Sequence, residues 1–276
     1  MALKTFRPVT PARRYYSVST FEEITTTEPY RPLLRVQRKN GGRNNLGRVC
    51  TKYRGGGERQ HYRVIDFARD KRDIPARVMH IEYDPNRSAR IARLLYKDGE
   101  YRYIIAPEGL HQKDEVTSGR NLPIRIGNAM PLSDVPVGVE IHNVQLFPNS
   151  RSFLVRSAGT AAQVMAKEAD RAVLKLPSGE TRFFDLGCWA TLGRVSNLEH
   201  KDITIGKAGR TRHMGFRSRV RAVAMNPIDH PMGGGEGKSS GGRHPCDETG
   251  RPAKGYKTRK KDKSSNRYIL QRRKKK

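Results

Sequence analysis

The feature that most constrains this chain is where its charge lies. Among 276 residues there are 55 Lys or Arg against 27 Asp or Glu, a formal net charge of +28. The excess is uneven: residues 1–60 carry +9, residues 61–200 only +3 and residues 201–276 +16. The nearly neutral middle can compact without repelling itself, whereas the flanking arms repel themselves until an anion neutralises them. The pattern predicts a folded body between a basic N-terminal extension, 1–60, and a basic, Gly-rich C-terminal extension, 201–276. A polyanion is the expected partner, because an ordinary monomeric enzyme needs no such charge for solubility.

Other features narrow the class. Cys50, Cys188 and Cys246 are odd in number and widely spaced, so neither a disulfide framework nor a zinc knuckle is indicated, and a reducing compartment fits best. Met1–Thr10 has no apolar stretch of the kind a secretory leader needs, and no segment approaches the roughly 18 apolar residues that cross a bilayer. The expectation is a cytoplasmic protein with no membrane partner, no cofactor and no bound metal.

The body reads as strands. His61–Phe67 and Arg77–Tyr83 partly alternate apolar and polar residues, and the runs Ile91–Tyr96 and Tyr101–Ala106 flank Asp98-Gly99, which supplies the positive φ of a tight hairpin. Gly138–Phe147 and Ser152–Arg156 are separated by Pro148-Asn149, and Ala172–Leu176 and Glu180–Phe184 by Pro177-Ser178-Gly179. Short strands at this spacing predict a mainly β protein built of small barrels. Ala161–Asp170 has helical propensity that strand context could override. The arms show no such periodicity; their glycine clusters and the terminal Lys274-Lys275-Lys276 predict close approach to phosphate.

Two constellations carry candidate chemistry. Asp229-His230 beside Gly233-Gly234-Gly235 resembles a base next to a phosphate loop, but prolines precede it and Ser239-Ser240-Gly241-Gly242 follows, so no strand-to-helix turn is available. A glycine loop wedged against RNA, with His230 hydrogen-bonded or stacked, fits better. Arg and aromatic residues recur together at Arg13-Arg14-Tyr15-Tyr16, Lys52-Tyr53-Arg54, Tyr101-Arg102-Tyr103 and Arg210–His213. Guanidinium groups pair with phosphate and both types stack on bases.

Three segments together resemble one family: Gly41-Gly42-Arg43-Asn44-Asn45 with Arg54-Gly55-Gly56-Gly57; Tyr83-Asp84-Pro85-Asn86-Arg87-Ser88-Ala89-Arg90-Ile91-Ala92; and Ala224-Met225-Asn226-Pro227-Ile228-Asp229-His230-Pro231 with the glycines that follow. Arg156–Thr160, Gly206-Lys207-Ala208-Gly209-Arg210 and Lys254-Gly255-Tyr256-Lys257-Thr258-Arg259 extend the likeness along the chain. The chain resembles the bacterial type of ribosomal protein L2. The resemblance implies an oligonucleotide-binding-type barrel over 61–122, an SH3-like barrel over 123–200, and basic extensions threading into large-subunit rRNA near the peptidyl transferase centre. It implies no enzymatic activity, and roles in subunit assembly, subunit association and tRNA binding, with neighbouring ribosomal proteins and the small subunit as further partners. It also implies rRNA contacts by Arg87, Arg90 and Arg156 from the body. From the extensions it adds Arg43, Arg54, Gly55, Gly56, Lys207, Arg210, Arg212, Asp229, His230, Gly233, Gly234, Gly235, Lys254, Lys257 and Arg259.

The chain departs from the family pattern locally. Met232 stands where a second His is usual, Glu58 where a His follows the Arg-Gly-Gly-Gly loop, His213 in place of Trp, and Cys246-Asp247-Glu248 in place of Thr-Pro-Trp. Carboxylates weaken phosphate binding nearby, so Glu58 and Asp247 are expected to face solvent, basic protein or a cation. Two rivals share some features: a hydrolase using Asp229 and His230, which lacks a convincing nucleophile, and a nonspecific nucleic-acid compaction protein.

Overall fold

The computed structural model describes residues 3–273; the terminal lysines Lys274-Lys275-Lys276 lie outside them. The chain divides into two compact units. One holds the chain up to Arg38, Arg59–Ala208 and the segment from Arg267 onward; the other holds Lys39–Glu58 and Gly209–Asn266.

Within the first unit, strands Tyr101–Ile105, Ile91–Tyr96, Ala76–Glu82 and Glu115–Val116 lie in that order in an antiparallel sheet. Gly99, at φ +84°, makes the hairpin turn that Asp98-Gly99 predicted. A bulge between Val78 and His80 curls the sheet. Period-two alternation sends Val78, Ala92, Leu94 and Ile104 to one buried face and Ile91, Tyr103 and Ile105 to the other. The second face packs against Ile65, Val195 and Phe67.

A second antiparallel sheet runs in the order Ile269–Gln271, Thr181–Asp185, Arg171–Lys175, Ala162–Glu168, Glu140–His142, Trp189–Leu192, Ala129–Pro131. It curls around Met130, Leu132, Ile141, Val164, Leu174, Phe184 and Leu192. The protein is thus mainly β with two curled, barrel-like sheets in its first unit, as the strand spacing predicts. The helical propensity of Ala161–Asp170 is overridden. Ala162–Glu168 is a strand, because burying Ala162 and Val164 against both neighbouring strands outweighs the small intrinsic preference for helix. His61–Phe67 is extended over a shorter span than expected, His61–Arg63 pairing with Leu34–Val36.

The arms are more structured than their lack of periodicity suggested. Leu3–Thr5 pairs with Ser17–Ser19 across a short helix, Pro11–Tyr15, whose Thr10 cap and N-terminal Pro11 are ordinary helix-start chemistry. At the other end Ile269–Gln271 returns to the edge strand Thr181–Asp185.

The second unit joins segments more than 150 residues apart in sequence. Gly55 N–H donates to Gly215 O at 3.0 Å, Glu58 N–H to His213 O at 2.9 Å and Arg217 N–H to Tyr53 O at 3.0 Å. Among the described residues of this unit only His230 is buried, so backbone hydrogen bonds and glycine contacts, not an apolar core, hold it.

Candidate nucleic-acid interface

Two arginines of the body share one aromatic ring. Asp84 is fully buried and its Oδ1 accepts from the backbone and side-chain amides of Asn86, both at 2.9 Å, closing a turn after strand Ala76–Glu82. Its Oδ2 receives Arg87 Nε at 2.5 Å. This aims the Arg87 guanidinium over Phe67, 5.6 Å from the centroid, and over Tyr62 at 5.9 Å. Arg156 reaches the same ring, 4.4 Å from its centroid, with Phe153 at 5.8 Å. Val155 before it sits at φ +54°, a strained conformation for a β-branched residue, held where its carbonyl accepts from Asn143 N–H at 2.8 Å.

Burial first, and the Arg87 charge second, pull the Arg156 guanidinium below its ordinary value. No carboxylate among the described residues pairs with it. Two cations are thus held together over one aromatic surface, Arg87 paired with Asp84 and Arg156 with no carboxylate partner among the described residues. The chain connections reinforce the pairing: Ser88 Oγ accepts from Ala158 N–H at 3.1 Å and Asn197 Nδ2 donates to Ser88 O at 2.6 Å.

In the second unit a single arginine covers a ring, and a second one binds the backbone of the same residue. Arg54 lies 4.6 Å from the Phe216 centroid, and Arg212 Nη1 donates to Phe216 O at 3.0 Å. Gly55 and Gly56 beside them have no atom closer than 3.8 Å to the place a Cβ would occupy, leaving their backbone open to approach. At the same loop, Glu58 Oε1 and His213 Nδ1 lie 3.3 Å apart, both well exposed. Glu248 pairs with Lys52 at 2.5 Å. Asp247 accepts from Thr249 Oγ1 at 2.7 Å and from the Thr249 and Arg251 amides, each at 2.9 Å; these bonds hold its carboxyl below the usual range. Glu58 and Asp247 therefore face solvent and protein donors, as expected.

The loop around His230 is closed on itself. The imidazole Nδ1 accepts from Met232 N–H at 3.0 Å, which puts its proton on Nε2, and His230 N–H reaches Asn226 O at 3.2 Å. Met232 Sδ accepts from Cys246 N–H at 3.4 Å, so two departures from the family pattern contact each other. Gly233 is required by protein, not by a ligand: a Cβ there would stand 2.5 Å from the carbonyl oxygens of Met225 and Asn226. With Nδ1 engaged and the ring buried, the base expected of a hydrolase is not presented.

Residues 30–118 match the family model Ribosomal Proteins L2, RNA binding N-terminal domain, and residues 125–250 match Ribosomal Proteins L2, C-terminal domain. The chain belongs to the ribosomal protein L2 family. As a member it is a structural, rRNA-binding constituent of the ribosome.

Not every Arg anticipated in the L2-type motifs is presented outward. Arg90 is buried: its Nη2 donates to Ser19 Oγ at 2.9 Å, its Nε lies 3.6 Å from Glu23, and Phe21 covers it at 4.9 Å. It fastens the N-terminal strap to the barrel. The Arg–aromatic recurrences are partly internal as well. Arg102 is held by Asp66, Asp70 and Glu100, and Tyr53 lies under Arg219 at 5.6 Å. Arg43, Lys207, Lys254 and Lys257 are exposed, and Arg259 is exposed while bonded to Ser265 and Asn266. Sequence reasoning missed Phe67, the ring that organises Arg87 and Arg156. An aromatic residue ending a strand pattern gives no sign of the arginines that will cover it.

Proposed function

We propose that this chain is a constituent of the large subunit of cytoplasmic, bacterial-type ribosomes. There it binds rRNA near the peptidyl transferase centre and supports subunit assembly, subunit association and tRNA binding. The Arg87–Phe67–Arg156 cluster is the observation that carries the RNA-binding role. It presents cationic groups whose geometry is fixed by protein before any RNA arrives, which lowers the ordering cost of binding. The second unit supports the same reading. Its exposed Arg54, Arg212, Lys254, Lys257 and Arg259 surround a fold with almost no apolar core, which RNA would stabilise by binding the folded form. Arg43 and Arg210 join this surface, Lys207 adds an exposed cation to the first unit, Gly55 and Gly56 give backbone access to the RNA, and the loop Asp229–Gly235, closed on itself, meets it as a preformed unit. Arg90 acts indirectly, by fixing the strap. The likeness of the Asn226–His230 segment to the family motif supports placement near the catalytic RNA, with neighbouring ribosomal proteins and the small subunit as further partners.

The deciding test is sedimentation of tagged protein from lysate after a high-salt wash. The protein is expected to remain stoichiometric with large subunits. Release from the subunit, or migration with DNA, would overturn the reading.

A further inference from the structure

A cavity of about 300 Å³ opens on the second barrel, apart from the arginine clusters described above. The returning tail builds one of its walls. Strand Ile269–Gln271 pairs with Thr181–Asp185, Arg182 opposite Ile269, and so brings Tyr268 over the sheet. Tyr268 meets Phe147 edge to face, with centroids 6.0 Å apart and planes at 66°. The Arg182 guanidinium lies 5.4 Å from the Tyr268 ring and 5.6 Å from Phe184, and Arg171 lies 6.0 Å from Phe183.

The two arginines are not neutralised. Among the described residues neither pairs with a carboxylate, and Arg182 Nε is buried without a partner. Asp170 and Asp185 also line the cavity. They oppose a ligand that carries negative charge along its whole length, such as an acidic peptide, and leave room for a single anionic group at the arginines, while a carboxylate accepts well from the N–H edge of a base. A ligand that is flat and apolar on its faces, carries donors on its edge and is anionic at one point matches these walls. The volume is at the lower end of small-ligand pockets, room for one such group and far too little for a helix.

We propose that this cavity takes one unstacked nucleotide of the RNA, its base against Phe147 and Tyr268 and its phosphate on Arg171 and Arg182. The proposal rests on the RNA-binding reading and adds to it a place for a single extruded base, the usual mode by which proteins read RNA outside its helices. It also ties the pocket to the tail, because Tyr268 reaches the wall only through the strand that follows it.

The test titrates the full-length chain, at one fixed salt concentration, with a single-stranded RNA decamer and with a duplex of the same length. Phe147→Ala and Tyr268→Ala are each expected to weaken single-strand binding about tenfold and to leave duplex binding within about twofold, while Tyr268→Phe, which keeps the ring, binds as the parent does. Unchanged single-strand affinity in both alanine variants overturns the pocket and leaves RNA binding standing. If the unaltered chain binds neither RNA, the underlying reading fails instead. Photo-crosslinking in purified large subunits supplies a second arm: a nucleotide attached at Tyr268 supports the proposal, and a peptide of another protein attached there overturns it.

Discussion

Arg156 and Arg87, 69 positions apart in sequence, are held over the single ring of Phe67 at 4.4 and 5.6 Å. Both cations are kept close by contacts to protein, and burial together with the Arg87 charge raises the cost of the Arg156 charge. In the proposed role, phosphate binding relieves that repulsion, so the cluster gains more from RNA than two separate surface arginines would.

The first prediction follows from this. Arg156→Ala should reduce the slope of log affinity against log salt by about 1, because one phosphate contact and its released counterion are lost. Phe67→Ala should weaken binding several-fold, by about 1 kcal/mol, through loss of orientation and cation–π contact. Filter binding over a salt series separates the two effects; an unchanged slope in Arg156→Ala would remove the phosphate contact from the account.

Arg90 is expected to behave differently from its neighbour Arg87. Breaking a buried pair strands the partner charge, so Arg90→Ala should destabilise the fold by about 3 kcal/mol. Burial pushes the Glu23 carboxyl up and Arg90 opposes that rise, so losing Arg90 leaves Glu23 more readily protonated. Denaturant unfolding should show the loss, with the salt slope of RNA binding unaltered in the protein that remains folded.

His142 makes stability depend on pH. The ring is fully buried, Nδ1–H donates to Gly193 O at 2.8 Å, and burial pulls its pKa down to about 4. The unfolded chain, with a His pKa of about 6.5, binds the proton first, so stability is unaffected above that pH and falls by roughly 3 kcal/mol as pH drops toward 4. His142→Asn should flatten this part of the profile in unfolding curves taken between those limits. A wild-type curve that stays flat there would contradict the buried neutral imidazole.

Glu58 opposes the surface it stands on. Replacing it by Gln removes a negative charge beside Arg54 and Arg212 and should strengthen RNA binding about threefold at low salt, with the gain vanishing at high salt as screening takes over. His213→Ala, which takes away the group facing that carboxylate, should have the opposite sign. Matched titrations at two ionic strengths distinguish these outcomes from a general loss of fold.

Much of the architecture was legible locally. Alternation of apolar residues marked Ala76–Glu82, Ile91–Tyr96 and Tyr101–Ile105, and Asp98-Gly99 marked the hairpin between them, because side-chain period and turn stereochemistry depend on near neighbours alone. The motif residues Arg87 and Arg156 were legible too, through family resemblance. Their shared ring was not, and Arg90 gave no sign in sequence that it would turn inward to Ser19 and Glu23.

The sequence by itself pointed to the class of partner and the kind of fold: the excess of cations favours a polyanion, and short alternating runs favour curled antiparallel sheets. Only the tertiary structure decided which cations remain available. Arg102 and Arg90 are taken up by carboxylates inside the protein, whereas Arg156 and Arg182 pair with no carboxylate among the described residues. It also decided that a strand from the cationic tail completes the second sheet and that segments from the two arms form one unit. The reason is range. Charge and alternation are properties of adjacent residues, while ion pairing, ring sharing and strand partnership are set by which distant segments the folded chain brings within a few ångströms.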